Sequence, residues 1–145
     1  MAVFGALDDQ PDHCRRAVLA GLRMKAKLAK INGERAIAGK KPISIGIGVH
    51  TDEVVVGNIG SHHRLEYTVI GDGVNTCSRV ESMNKDFGTT LLITEQTHEH
   101  VRADFDCRPM PETRLRGKTQ LVRLFEVVSH KTDGQSGGTN KPLAA

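Results

Sequence analysis

Tryptophan is absent from this 145-residue sequence, which has one Tyr and four Phe. Its interior must therefore be aliphatic, and the aromatic platform on which single-stranded nucleic-acid binders stack bases is missing, so no nucleic-acid partner is expected. Cysteine is scarce as well. Cys14, Cys77 and Cys107 are too few and too scattered for a disulfide framework, and no Cys-x-x-Cys pair exists to hold zinc. Reduced thiols and a cytoplasmic location fit that usage. Nowhere do about 18 uncharged apolar residues run together, and the N-terminus lacks the basic flank and apolar stretch of a signal peptide, so no membrane segment is expected.

What is present, 38% apolar and 26% charged residues, is the composition of one packed domain. The net charge of +3 is unevenly spread, because Asp12 to Lys41 holds nine Lys and Arg against two acids. A basic helix can attract phosphates or an acidic partner; the alternative is the solvated face of an amphipathic helix.

Met1 to Ala6 is a short apolar stretch with strand-like Val3 and Phe4, followed by a polar turn through Asp8, Asp9, Pro11 and Asp12 that can cap a helix. Cys14, Ala17, Val18, Leu22, Leu28 and Ile31 then recur at threes and fours, which predicts a helix stopping at Gly33. From Pro42 the period becomes two: Ile43, Ile45, Ile47 and Val49 share one face, and Ser44, Gly46 and Gly48 leave the other almost bare. Further runs at Glu53 to Ile59 and Leu65 to Ile70 read as adjoining antiparallel strands. A helix over Val74 to Phe87, a strand over Thr89 to Ile93, a short helix over Glu95 to Val101 and two closing strands flanking Arg116, Gly117 and Lys118 complete an α+β pattern. Residues 130–145, poor in groups to bury, are expected to be a disordered tail after a domain spanning 1–129.

Chemistry concentrates in Glu66 to Glu81. A strand passes through Gly71-Asp72-Gly73 into a helix that carries Asn75 and Arg79, four apart and so on one face. An amide beside a guanidinium fork near a helix start suits phosphate oxygens, because Arg donates from a planar, permanently charged group. The same spacing also fits a capping Asn and a surface Arg. His98 and His100, two apart on a short helix, have the wrong spacing for one face and read as surface residues; Met24, Met83 and Met110 read as packing.

Order and spacing together resemble the class III adenylate and guanylate cyclase catalytic domain. The resemblance starts at Met1-Ala-Val-Phe-Gly5 and takes in Asp12-His13, Arg16-Ala17, Asn32, Ile45-Gly-Ile-Gly48 and Val54-Val-Val-Gly-Asn-Ile-Gly60. It peaks at Glu66 to Glu81 and continues through Leu92-Ile-Thr94 and Leu115-Arg-Gly-Lys118 to Phe125-Glu-Val127. It implies a ferredoxin-like antiparallel sheet with helices packed on one face. It also implies conversion of ATP to 3′,5′-cyclic AMP and pyrophosphate, at a site shared between two catalytic domains in a homodimer or with another cyclase-domain partner.

By the same resemblance Asn75 orients the ribose, Arg79 neutralises charge at the α-phosphate, Thr68 and Val69 lie where the purine is read, and Arg116 and Lys118 reach the triphosphate. The family works with two Mg or Mn ions. Its two metal-ligand aspartates, and a Lys that helps to read adenine, precede the segment matched here and have no counterpart. The sheet is therefore expected to be incomplete at the N-terminus, with an unpaired edge near Met1 to Ala6. Two smaller departures are Arg116 for the first Lys of a Lys-Gly-Lys loop and Asp52 where family members carry Thr-Gly-Glu; Asp suits that place if the backbone there is left-handed. The alternative to a working cyclase domain is a catalytically silent, nucleotide-binding or regulatory half that pairs with a complete domain.

Overall fold

The computed structural model describes residues 1–6, 10–61, 64–115 and 121–131. Its centre is a four-stranded sheet in the order β1 (Ile47–Val49), β4 (Leu91–Thr94), β8 (Leu124–His130), β5 (Phe105–Pro109). β4 is buried along its whole length, as a strand covered on both faces must be. Leu91 and Ile93 point to one face, where Cys14 and Val18 of α1 (His13–Ile37) meet Val101, Phe105 and Val127. Leu92 points to the other, where it packs with Leu124, Leu115 and Val80 of α2 (Asp72–Phe87), backed by Met83 and Met110. The α+β class is as expected, but the helices are divided between the two faces: α1 and α3 (Glu95–Val101) cover one and α2 the other.

α1 begins after Asp12 as its polar lead-in predicts, then runs past Gly33 to Ile37. Helices commonly end at a residue that accepts positive φ, and Gly39 (φ 65) supplies it here, its N–H reaching the Ala36 carbonyl at 3.0 Å. Gly33 stays helical at a cost of about 1 kcal/mol relative to Ala. Asn32 fastens this end by a reciprocal pair with the Ile43 backbone, both bonds 2.8 Å. Gly21 seats the helix on the sheet, since a Cβ there would stand 2.9 Å from the Leu91 side chain. Met24 is more than half exposed rather than packed. The expected strand at Met1 to Ala6 does not form; the segment bends, with Gly5 at φ 77, because a strand is stable only with a partner.

The alternating run from Pro42 makes a ladder only over Ile47–Val49, and its partner is not the next strand. β1 pairs in parallel with β4, while β2 (Val55–Ser61) and β3 (Arg64–Ile70) form a separate antiparallel hairpin from Val55↔Ile70 to Ser61↔Arg64. Alternation sets which face is buried, not which strand lies alongside. Among the described residues β1 is an edge of the sheet, as is β5. β6 (Thr113–Arg114) pairs with β7 (Leu121–Val122). β8 extends through His130, opposite Phe105; residues 132–145, where a tail is expected from the sequence, lie outside the described residues. No helix among the described residues is long and apolar enough to cross a membrane.

Candidate active site

The bare face of β1 is the seat of α2. A Cβ at Gly48 would stand 2.5 Å from the Glu81 nitrogen and 2.8 Å from the Cys77 carbonyl oxygen, and one at Gly46 would meet the Glu81 side chain at 2.5 Å. Asn84, almost wholly buried, donates to the carbonyls of Ile47 (3.0 Å) and Glu81 (2.9 Å), and Thr89 donates to its Oδ1 at 3.0 Å. The Cys77 thiol donates to the Gly48 carbonyl at 3.3 Å. Burial pushes that thiol above its ordinary value, and a backbone hydrogen bond from His50 opposes the rise.

The chain enters α2 through Gly71, whose φ of 154 and ψ of 163 belong to a region that only glycine adopts readily. Gly73 has an ordinary backbone but no room: a Cβ there would lie 2.7 Å from Asp52 Cβ and 2.9 Å from Asp52 Oδ2. Asp52 itself does not sit in a left-handed turn, since no described residue other than glycine has positive φ. Its Oδ1 accepts the Glu53 N–H at 2.9 Å, and its Oδ2 is 3.5 Å from His50 Nε2. His50 Nδ1 is 2.9 Å from Thr94 Oγ1, from which hydroxyl contacts lead through Thr97 and Thr51 to the Cys14 thiol.

α2 buries Gly73, Thr76, Val80 and Asn84. That leaves Asn75 exposed and Arg79 half-buried on a flank of the same helix, one turn apart as their spacing requires, and among the described residues neither has a hydrogen bond or ion pair. Thr76 instead turns into a cleft of about 340 Å³ lined also by His50, Asp52, Thr94, Glu95 and Arg123; Asn75 and Arg79 are not among its walls. Thr68 and Val69 are adjacent in β3, opposite Gly57 and Val56. Their side chains therefore leave opposite faces of the hairpin, so one ligand can meet only one of them by its side chain. Arg116 and Lys118 lie outside the described residues.

Among the described residues, no three His, Cys, Asp or Glu side chains converge in a way that could hold a metal ion. The described residues do not fit the family's two-ion centre. His98 is accounted for otherwise: its ring stacks on Phe125, centroids 3.9 Å apart and planes within 5°.

Sequence reasoning missed Asp52, His50 and Asn84 as parts of this architecture. Asp52 carried a usable signal, standing where the resembled family has Gly; the pairing of Gly46 and Gly48 with a helix was prefigured only by the missing side chains.

The model of the adenylate and guanylate cyclase catalytic domain matches residues 1–127. The chain belongs to that family. It is 35% identical over 133 residues to an adenylate cyclase of Anabaena cylindrica, covering 87% of this chain and 26% of that one. With adenylate cyclase 1 of Rhizobium meliloti it shares 32% over 116 residues, 80% of this chain and 17% of the relative. The chain thus spans only 17–26% of the length of these relatives. The fold superimposes on the adenylyl cyclase CyaB from P. aeruginosa with a TM-score of 0.77 at 28% identity, covering 87% of this chain and 65% of that one. For the guanylyl cyclase Cya2 the TM-score is 0.74 at 34% identity, with coverage of 86% and 62%.

Proposed function

We propose that this chain acts as part of an adenylate cyclase, supplying Asn75 and Arg79 to a site completed by a second cyclase domain that forms 3′,5′-cyclic AMP and pyrophosphate from ATP. The observation that carries this reading is the pair itself: two polar groups one turn apart, unpartnered among the described residues, on a helix whose start is fixed on both sides. A buried or neutralised Arg79 would be of no use to a phosphate. In the proposed reaction the ribose 3′-oxygen attacks the α-phosphorus, the bond to the bridging oxygen breaks, pyrophosphate leaves and the hydroxyl proton is released. Asn75 orients the ribose. Arg79 meets the charge that builds on the α-phosphate as that bond changes, a preorganised donor whose removal typically costs about 10²-fold or more in rate. Thr68, whose hydroxyl can accept from an adenine amino group, favours ATP over GTP; Val69 lines the same subsite through its backbone, and Arg116 and Lys118 hold the triphosphate. The family's Mg or Mn ions would be held by carboxylates of the partner domain and would supply positive charge at the triphosphate; the expected setting is the cytoplasm.

The test is cyclic nucleotide production from ATP and from GTP with manganese, by the chain alone and mixed with a cyclase domain that keeps its metal-binding aspartates but lacks its own Asn and Arg. Cyclic AMP from the mixture supports the reading. Cyclic GMP in excess overturns the choice of base, and no product from either sample overturns the role of Asn75 and Arg79.

A further inference from the structure

We propose that Asp52, steadied by His50, is a positioning residue for Asn75 and Arg79, setting the first turn of α2 against the end of β1. The inference rests on the reading of Asn75 and Arg79 above. His50 is itself well anchored. Its side chain is 8% exposed, with Nδ1 2.9 Å from the hydroxyl of fully buried Thr94 and Nε2 3.5 Å from Asp52 Oδ2. The other carboxylate oxygen accepts the Glu53 N–H at 2.9 Å. With one oxygen hydrogen-bonded and the other facing His50, Asp52 presents to Gly73 the face that it touches: the space of a Cβ on Gly73 is already taken by Asp52 Cβ and Oδ2. A carboxylate at this end of α2 is also favoured by the helix dipole. Gly73 is two residues before Asn75, so a shift of this turn moves the amide directly and Arg79 one turn later. The Asp52 side chain thus makes the helix start a fitted joint.

The experiment uses the full chain with Asp52→Gly, Asp52→Asn and His50→Gln, in the mixed assay and in amide hydrogen exchange. Asp52→Gly is expected to lower kcat about tenfold or more with KM for ATP changed less than about twofold, because a displaced transition-state group costs turnover rather than binding. Asp52→Asn, which keeps the shape and the Glu53 bond, should retain most of the rate, and His50→Gln should fall between. Exchange should quicken at residues 73–77 in Asp52→Gly and stay protected at 80–85 and in β4 and β8. An undiminished kcat in Asp52→Gly overturns the proposal, as does loss of protection throughout the sheet, which would make Asp52 a general stabiliser. If the unmodified chain yields no cyclic AMP in the mixture, the reading of Asn75 and Arg79 fails, and the exchange pattern alone then decides the joint: quickening confined to 73–77 upholds it, and unchanged exchange there overturns it.

Discussion

Gly48 and Glu81 touch backbone to backbone: a Cβ on the glycine would lie 2.5 Å from the Glu81 nitrogen. Atoms of a main chain cannot swing aside as a flexible side chain can, so any residue larger than glycine must push α2 away from β1. Gly48→Ala should therefore destabilise the fold by about 1–3 kcal/mol, the usual cost of overpacking, and lower turnover in the mixed assay as well. Urea unfolding followed by circular dichroism reads the first effect. A variant with an unchanged midpoint would show that α2 is not seated on the strand as described.

Arg79→Ala and Asn75→Ala should do the opposite, sparing stability and abolishing chemistry. Neither side chain is buried in the core or hydrogen-bonded among the described residues, so each change should alter stability by no more than about 0.5 kcal/mol. Turnover of the mixed dimer should drop about 10²-fold or more. Thermal unfolding and initial rates on the same preparations separate the two effects. A large loss of stability would mark the pair as structural.

How much of this was legible beforehand differs between the two halves of the site. The helix over Val74 to Phe87, the short helix Glu95–Val101, which is found with the bounds foreseen, and the common face of Asn75 and Arg79 follow from period and spacing alone, because each depends on residues within a few turns. The parallel partner of β1 does not follow: Ile47 and Leu91 are far apart in sequence, and alternation says nothing about which strand lies alongside. The bareness of Gly46 and Gly48 was visible, but its cause, a helix lying directly on the strand, needed the packing. Asp52 was legible only as a departure. The structure turns it from a residue tolerated in a turn into one that fills the space over Gly73.

Gly71 should be intolerant of substitution for a different reason from Gly48. No neighbour crowds it, the nearest atom to a Cβ being 3.4 Å away, but its φ of 154 with ψ of 163 is conformationally costly for any L side chain. Gly71→Ala should lose about 1–3 kcal/mol, or else rotate the entry to α2 and carry Asn75 with it. A crystal structure or exchange profile of the variant tells which. Full stability with an unmoved helix would contradict the glycine-only assignment.

His98 should make stability fall as the solution becomes acidic. Its ring lies flat on Phe125, and its pKa is lowered below the ordinary 6.5, first by burial and then by the charge of Arg102, with Glu95 and Glu99 opposing. The folded state thus prefers the neutral ring. With the folded pKa depressed, the unfolded chain binds more protons in the window below about 6.5, and stability present above that value is lost as pH falls through it toward the folded pKa. His98→Phe keeps a ring against Phe125 but has no proton to take up, so its stability should vary less between pH 7.5 and 5. Urea midpoints for both proteins at half-unit intervals measure the difference, which cancels the other histidines. Parallel curves for the two proteins would show that the stacked ring titrates alike folded and unfolded.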